Sequence, residues 1–210
     1  MNLLFKAVVV ALALLGIVIN TYQSDHVLES FSYYTLQSNL FVLVIFSVII
    51  YRRILNRDAT RTITLLKAMA TVGIMITMLI YHFTLRPFLE GMNGIDYTVG
   101  DVRDLLLHYL VPSAAFMDWV LFDRHTKLHV KDPIIFLIQP FVYLFYTIIY
   151  TSLGGIYRLG DTIYYYPYFF LDVSQYGYFG VFLWSLLILM FYLILGYGLF
   201  VLHRFRRKVL

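Results

Sequence analysis

The sequence predicts an all-α fold, a polytopic membrane protein in which residues 1–210 form one bundle of six transmembrane helices. Two observations carry this expectation. Of 210 residues, 61% are hydrophobic and only 13% charged, and the mean hydropathy of +0.78 lies well outside soluble globular usage. The apolar runs are also about 20 residues long rather than about 10 with strict alternation. Because lipid-exposed backbone must satisfy its own hydrogen bonds, such runs favour helices over a barrel.

The spans fall at roughly 4–22, 35–54, 66–86, 104–122, 134–153 and 177–203. The first could pass for a secretion signal, with Lys6 ahead of an apolar run. No small-x-small cleavage site follows Ile19, Asn20 and Thr21, so it is expected to remain as a span. Thr35 opens the second span. His82 lies near the end of the third in YHFTLRP, and the fourth carries His108, Pro112 and Asp118 in LLLHYLVPSAAFMDW. On the fifth, Tyr143, Tyr146, Thr147 and Tyr150 recur at three- and four-residue spacing, which puts their hydroxyl groups on one face. The sixth follows the aromatic cluster Tyr164, Tyr165, Tyr166, Tyr168, Phe169 and Phe170. That cluster reads mainly as an interfacial belt, with a second reading as a lid stiffened by Pro167 and folded back over the bundle. The connections, roughly 10–24 residues each, are too short for a separate folded domain.

The net charge is +4, yet nucleic-acid binding is not the natural reading, because the basic residues lie beside predicted membrane ends. Lys6, Arg52, Arg53, Arg57, Arg61, Lys67, Arg124, Lys127, Lys131, Arg204, Arg206, Arg207 and Lys208 fall on one side of a six-span chain. Arg86, Arg103 and Arg158 fall on the other, with Asp25, Glu29, Glu90, Asp96, Asp101, Asp104, Asp161 and Asp172. Both termini are therefore expected to be cytoplasmic in a plasma-membrane protein. The absence of cysteine excludes disulfides and thiolate chemistry.

An ionisable group inside a membrane span is costly enough to mark a functional site, which makes His108 the leading candidate. At about 1.5 Å rise per residue, His82 and His108 lie about 6 Å below the outer ends of their helices. Thr35 shares that layer. A threonine hydroxyl needs a base to become a nucleophile, and a neutral imidazole suits that role. If the second helix starts at Thr35, the amides of Leu36, Gln37 and Ser38 form an oxyanion hole, with Asn39 adding a side-chain donor. Each residue also has an ordinary alternative. Thr35 alone reads more readily as an N-cap, His108 as a hydrogen-bonded structural group, and His82 as an interfacial one. Tyr146 or Tyr150 could donate to a substrate carbonyl, although packing explains them as well. Asp118, about 15 Å beyond His108 along the helix, is too far to join a triad and should anchor the inner end. Pro112 should kink the fourth helix.

The sequence offers no carboxylate pair, Gly-rich phosphate loop or metal-spaced histidine pair, so glycosidase, nucleotide and zinc-protease readings lack support. Two other function classes remain open. One is a redox protein with His82 and His108 as axial haem ligands. The other is a proton-coupled transporter using His82, His108 and Asp118, although Asp118 and Gln139 are the only evident polar stepping-stones in the inner half.

The motifs FSYYTLQSN, LLLHYLVPSAAFMDWVLF and YYYPYFFLDV, in this order on a six-span chain, resemble the androgen-induced membrane hydrolase family and its bacterial six-helix branch. Animal members are threonine hydrolases that cleave fatty acid esters of hydroxy fatty acids with one Thr and one His. The resemblance implies a membrane lipid ester hydrolase, with Thr35 as nucleophile, His108 as base and no cofactor or metal. Ser38 departs from the animal pattern, which has an acidic residue there. The short loops and the TLQSN and DWVLF wording look more like the bacterial branch.

Overall fold

A computed structural model describes residues 2–91, 101–123, 128–159 and 162–208. Asp96, Arg124, Lys127 and Asp161, which enter the charge reading above, lie outside the described residues. Six helices are long and apolar enough to cross a membrane: α1 (Leu3–Gln23), α2 (Tyr34–Ile54), α3 (Arg61–Glu90), α4 (Val102–Phe122), α5 (Asp132–Ser152) and α6 (Val173–Lys208, apolar to Leu202). All six expected spans are present. One small departure from an all-α chain is an antiparallel hairpin of β1 (Tyr157–Leu159) and β2 (Thr162–Tyr164), which pairs Tyr157 with Tyr164.

The boundaries follow local chemistry. The Thr60 hydroxyl accepts from the Ile63 amide and starts α3 earlier than hydropathy suggests. Asp101 does the same for α4, accepting from the Asp104 amide at 2.7 Å. Gly177 breaks α6 with φ of 63°, a left-handed conformation that favours glycine, so the regular part of the sixth span begins where the sequence places it.

Helices α1 to α4 form the inner bundle. Val9, Ala13, Val42, Phe46, Ala70, Ile74, Val111 and Ala115 are fully buried at its centre. In lipid, helix association draws on close packing rather than on hydrophobic transfer, and small residues allow it. Gly16 shows this between α1 and α4, because a Cβ there would stand 2.7 Å from Leu107. A second cluster around Ala68, Trp119, Phe136 and Tyr192 attaches α5 and α6. Half of the apolar window of α3 and of α4 is buried, against 11% for α5 and 17% for α6. The two outer helices thus pack loosely, and a cavity lies between them and α3.

Lys6 and Lys67 correct the expectation that basic residues sit in loops. Both are buried inside helices, at 0% and 2% exposure, because Asp118 of α4 accepts from both and Lys67 also reaches Asp123. Asp118 anchors its end of the bundle as expected, through ion pairs rather than a cap. The polar content of that half was therefore underread: Lys6, Lys67 and Thr71 join Asp118 there, all buried.

Candidate functional site

Thr35 and His108 meet. The Thr35 hydroxyl lies 3.2 Å from His108 Nε2. Thr35 is not the N-cap of α2: the cap position is Tyr33, and it makes no side-chain capping bond. The hydroxyl is thereby available for contact across helices.

On its other side, His108 Nδ1 lies 2.6 Å from Asp104 Oδ1. A carboxylate at that distance accepts a hydrogen bond from Nδ1–H, leaving Nε2 as the acceptor for the Thr35 hydroxyl. Asp104 is itself held, since the Tyr81 hydroxyl donates to its Oδ2 at 2.8 Å. The Tyr81 ring also stacks on the imidazole, with centroids 3.7 Å apart and planes 11° from parallel. Asp104 is 1% exposed, Tyr81 2% and His108 9%. Hydroxyl, imidazole and carboxylate thus form a sheltered relay with triad geometry. Asp104 was the missing member, and its signal was the four-residue spacing to His108, which places both on one helical face.

Two π-helical turns build this geometry. Leu106–Leu110 of α4 and Tyr81–Leu85 of α3 each widen the helix, and each ends two residues before a proline, Pro112 and Pro87. Pro112 therefore acts through a π turn immediately before it, where the sequence suggested a simple kink. Proline has no amide proton for the carbonyl four residues back, and a π turn absorbs the mismatch. In the wider turn the Val111 amide bonds to the Leu106 carbonyl and leaves that of Leu107 without its usual helical partner. Asn39 Nδ2 takes that carbonyl at 3.1 Å and the Thr35 carbonyl at 2.8 Å, so one side chain ties the hydroxyl-bearing turn to the imidazole-bearing turn.

Asn39 and Ser38 consequently do not supply an oxyanion hole. Both are buried, and Ser38 Oγ bonds to Thr77 Oγ1 at 2.8 Å and to the Thr35 carbonyl at 3.0 Å. The Gln37 amide is bonded to the Tyr33 carbonyl, because α2 begins at Tyr34, one residue earlier than expected, with Tyr33 as its cap; of the three expected amides, that of Leu36 alone stays in the open first turn. Replacing Asn39 with Leu is expected to strand the Leu107 carbonyl at a cost of about 1–3 kcal/mol. A lowered melting temperature of the purified protein in detergent checks this.

A cavity of about 460 Å³ opens from Thr35. Ile76, Ile80, Phe141, Leu144, Phe182, Leu186 and Leu189 make it apolar. Tyr34, Tyr143, Tyr168 and Tyr192 place phenols in its wall. Phe141 of α5 and Phe182 of α6, both in its lining, are also 44% and 59% exposed, so this wall of the cavity reaches the surface of the bundle. The Tyr34 amide, in the unsatisfied first turn of α2, donates to Tyr168 Oη at 3.0 Å and to Tyr143 Oη at 3.2 Å. Of the aromatic cluster before α6, Tyr168 and Phe170 line the cavity, whereas Tyr165 is exposed.

Tyr146 and Tyr150 are not among the cavity-lining residues. Tyr150 donates to the Ile156 carbonyl at 3.3 Å, and Tyr146 stacks between the rings of Tyr143 and Tyr150. The helical face was read correctly, but Tyr143 is the member that reaches the cavity. His82 also stands apart, exposed, with Nδ1 3.0 Å from the Tyr109 hydroxyl. Both nitrogens of His108 are already engaged and Tyr81 covers its ring, an arrangement unlike a paired axial-ligand site. Among the described residues, no group of three or more His, Cys, Asp or Glu is arranged to hold a metal ion.

No known protein family, curated protein or solved structure matches the chain.

Proposed function

We propose that this membrane-spanning protein hydrolyses ester bonds of amphiphilic lipids, with Thr35 as nucleophile, His108 as general base and acid, and Asp104 orienting the imidazole. The observation that carries the reading is the Thr35–His108–Asp104 relay opening onto an apolar cavity. The resemblance of its motifs to the androgen-induced membrane hydrolases points the same way.

In the first half-reaction the Thr35 oxygen bonds to the ester carbon as its proton passes to His108 Nε2. The carbonyl electron pair moves onto oxygen, giving a tetrahedral oxyanion. Collapse breaks the carbon–oxygen bond to the alcohol, which leaves with the proton returned by His108. Water then attacks the acyl-Thr35 ester, giving one proton to His108, and collapse releases the acid and restores the threonine. The role of Asp104 is to hold Nδ1–H and to stabilise the imidazolium that forms twice in this cycle.

A single-chain lipid reaches the site sideways, between α5 and α6, with its acyl chain in the cavity and its ester at Thr35. The distribution of lysine and arginine supports cytoplasmic termini, which puts the site in the outer half of the bilayer.

The test is labelling of the purified full-length protein with a long-chain fluorophosphonate, followed by mass spectrometry of the adduct. The parent should be labelled at Thr35, and Thr35→Ala and His108→Ala should not be. Both variants should also lose hydrolysis of p-nitrophenyl laurate, and Thr35→Ser should keep a measurable part. A folded parent that neither takes the label nor cleaves the ester would overturn the reading.

A further inference from the structure

The hydrolase reading needs a group to stabilise the oxyanion, and of the residues expected to do so only Leu36 keeps an amide outside the helix ladder. Asn39 Nδ2 is spent on two carbonyls, Ser38 faces Thr77, and the Gln37 amide belongs to the helix ladder. Leu36 packs with Ile17 and Leu107 and is not among the residues lining the cavity, so a donor on the cavity side of Thr35 has to come from the wall itself.

Tyr168 is placed for it. It lines the cavity together with Thr35, and its oxygen accepts from the amide of Tyr34, the residue immediately before the nucleophile. An oxygen that accepts the amide proton still has its own proton to give. Neighbouring rings limit the movement of the side chain: Tyr33 lies edge-on at 6.1 Å and Phe170 stacks at 5.2 Å. A donor fixed beforehand in a water-poor site is the kind that stabilises developing charge most. The phenol also stays protonated. Burial pushes it up to about 12, against a weaker opposing hydrogen bond from the Tyr34 amide.

Tyr143 is the neighbouring alternative, but its proton goes to the Ser32 carbonyl at 3.3 Å. Tyr34 pairs with Tyr192 deeper in the cavity. Of the four phenols in the wall, Tyr143 and Tyr168 both accept from the Tyr34 amide beside Thr35, and of these two it is Tyr143 that donates to Ser32.

Building on the proposed hydrolase activity, we propose that Tyr168 is a further catalytic residue, donating its phenolic hydrogen bond to the tetrahedral oxyanion formed on Thr35. The segment before α6 then completes the active site instead of merely covering it. No proton leaves Tyr168 in this role: the hydrogen bond shortens as negative charge grows on the substrate oxygen and relaxes when the intermediate collapses.

Tyr168→Phe keeps the ring and leaves Tyr143 as acceptor for the Tyr34 amide, so the fold should hold. Its kcat for p-nitrophenyl laurate should fall by about 10²–10³-fold. A long-chain alkyl trifluoromethyl ketone, which forms a tetrahedral adduct with Thr35, should lose affinity by a comparable factor. The matching alkyl ether, which forms no adduct, should bind as it does to the parent. A purely structural Tyr168 would weaken both ligands alike. If the phenylalanine variant does not fold, a fluorinated tyrosine at position 168 serves instead. It preserves shape and lowers the phenol pKa, so the alkaline limb of the kcat profile should move to lower pH. An active parent dependent on Thr35 and His108, whose Tyr168→Phe form keeps kcat within threefold or whose fluorinated form keeps the same alkaline limb, overturns the role of Tyr168 alone. An inert parent overturns this role and the hydrolase reading together.

Discussion

Asp104→Asn is expected to lower kcat for ester hydrolysis by about 10⁴-fold while leaving the bundle folded. The size of the effect follows from one proton. In the parent the carboxylate can only accept, so it holds the proton on His108 Nδ1 and leaves Nε2 bare toward the Thr35 hydroxyl. An asparagine amide can present its NH₂ to Nδ1, which moves the imidazole proton to Nε2. The base then faces its nucleophile with a proton already in place and cannot take another without becoming charged beside a neutral amide. Packing should change little, because the Tyr81 hydroxyl can still donate to the amide oxygen. Asp104→Ala should lose as much activity and also stability, since the Tyr81 hydroxyl and the imidazole both lose a buried acceptor. Turnover of p-nitrophenyl laurate by Asp104→Asn within tenfold of the parent, at an unchanged melting temperature, would remove the carboxylate from the mechanism.

The second large effect is structural, at the opposite end of α4. Asp118→Ala is expected to destabilise the bundle by about 3–5 kcal/mol, enough to prevent recovery of folded protein. Asp118 is fully buried and accepts from Lys6 at 2.6 Å, and Lys67 bonds to both Asp118 and Asp123. Two ammonium groups and two carboxylates balance. Without Asp118, two ammonium groups share one carboxylate, and the rings around them offer only weak cation–π contact: Lys6 lies 5.8 Å from the Phe46 centroid and Lys67 5.7 Å from that of Trp119. Since the damage is an unpaired charge rather than a lost bond, removing the partner should repair it. Lys6→Met with Asp118→Leu leaves Lys67 facing Asp123 alone, and an apolar pair of similar volume often replaces a buried ion pair at little cost. The double variant should recover most of the parent's melting temperature and ester hydrolysis, because the cluster lies about 15 Å from His108 along α4. A double variant as unstable as Asp118→Ala would show that each charge has its own irreplaceable partner.

The positions of Thr35 and His108 illustrate how much of the site was legible. Counting residues inward from the helix ends put both in one layer, and they are in contact. The same counting put His82 in that layer, yet it turns outward to Tyr109. Depth follows from rise per residue; direction around the helix depends on packing, and here on a π turn that no periodicity reports. Asp104 was readable as a partner from its spacing to His108, but a charged residue at the margin of a span looks like an end marker until burial is known. The phenols were harder still. Among 19 tyrosines, nothing in composition separates Tyr168, held at the start of α2, from Tyr165, which is exposed.

The sequence by itself determined that the chain is a six-helix membrane bundle and where each helix runs, because hydropathy over about 20 residues is a property of adjacent residues and of lipid thickness. It placed Lys6 and Lys67 beside membrane ends, where they read as topology markers and not as buried groups. Only the tertiary structure decided that they are buried, since Lys6 meets its carboxylate 112 positions away on α4. It likewise decided that Asn39 binds two helices together, that Asp104 orients His108, and that Tyr168 returns over Thr35. The Lys6, Asn39 and Tyr168 contacts are directional bonds of about 3 Å between distant segments, which depend on helix rotation and backbone register that local pattern does not encode; the Asp104–His108 contact is local in sequence, and what the tertiary structure added there is burial.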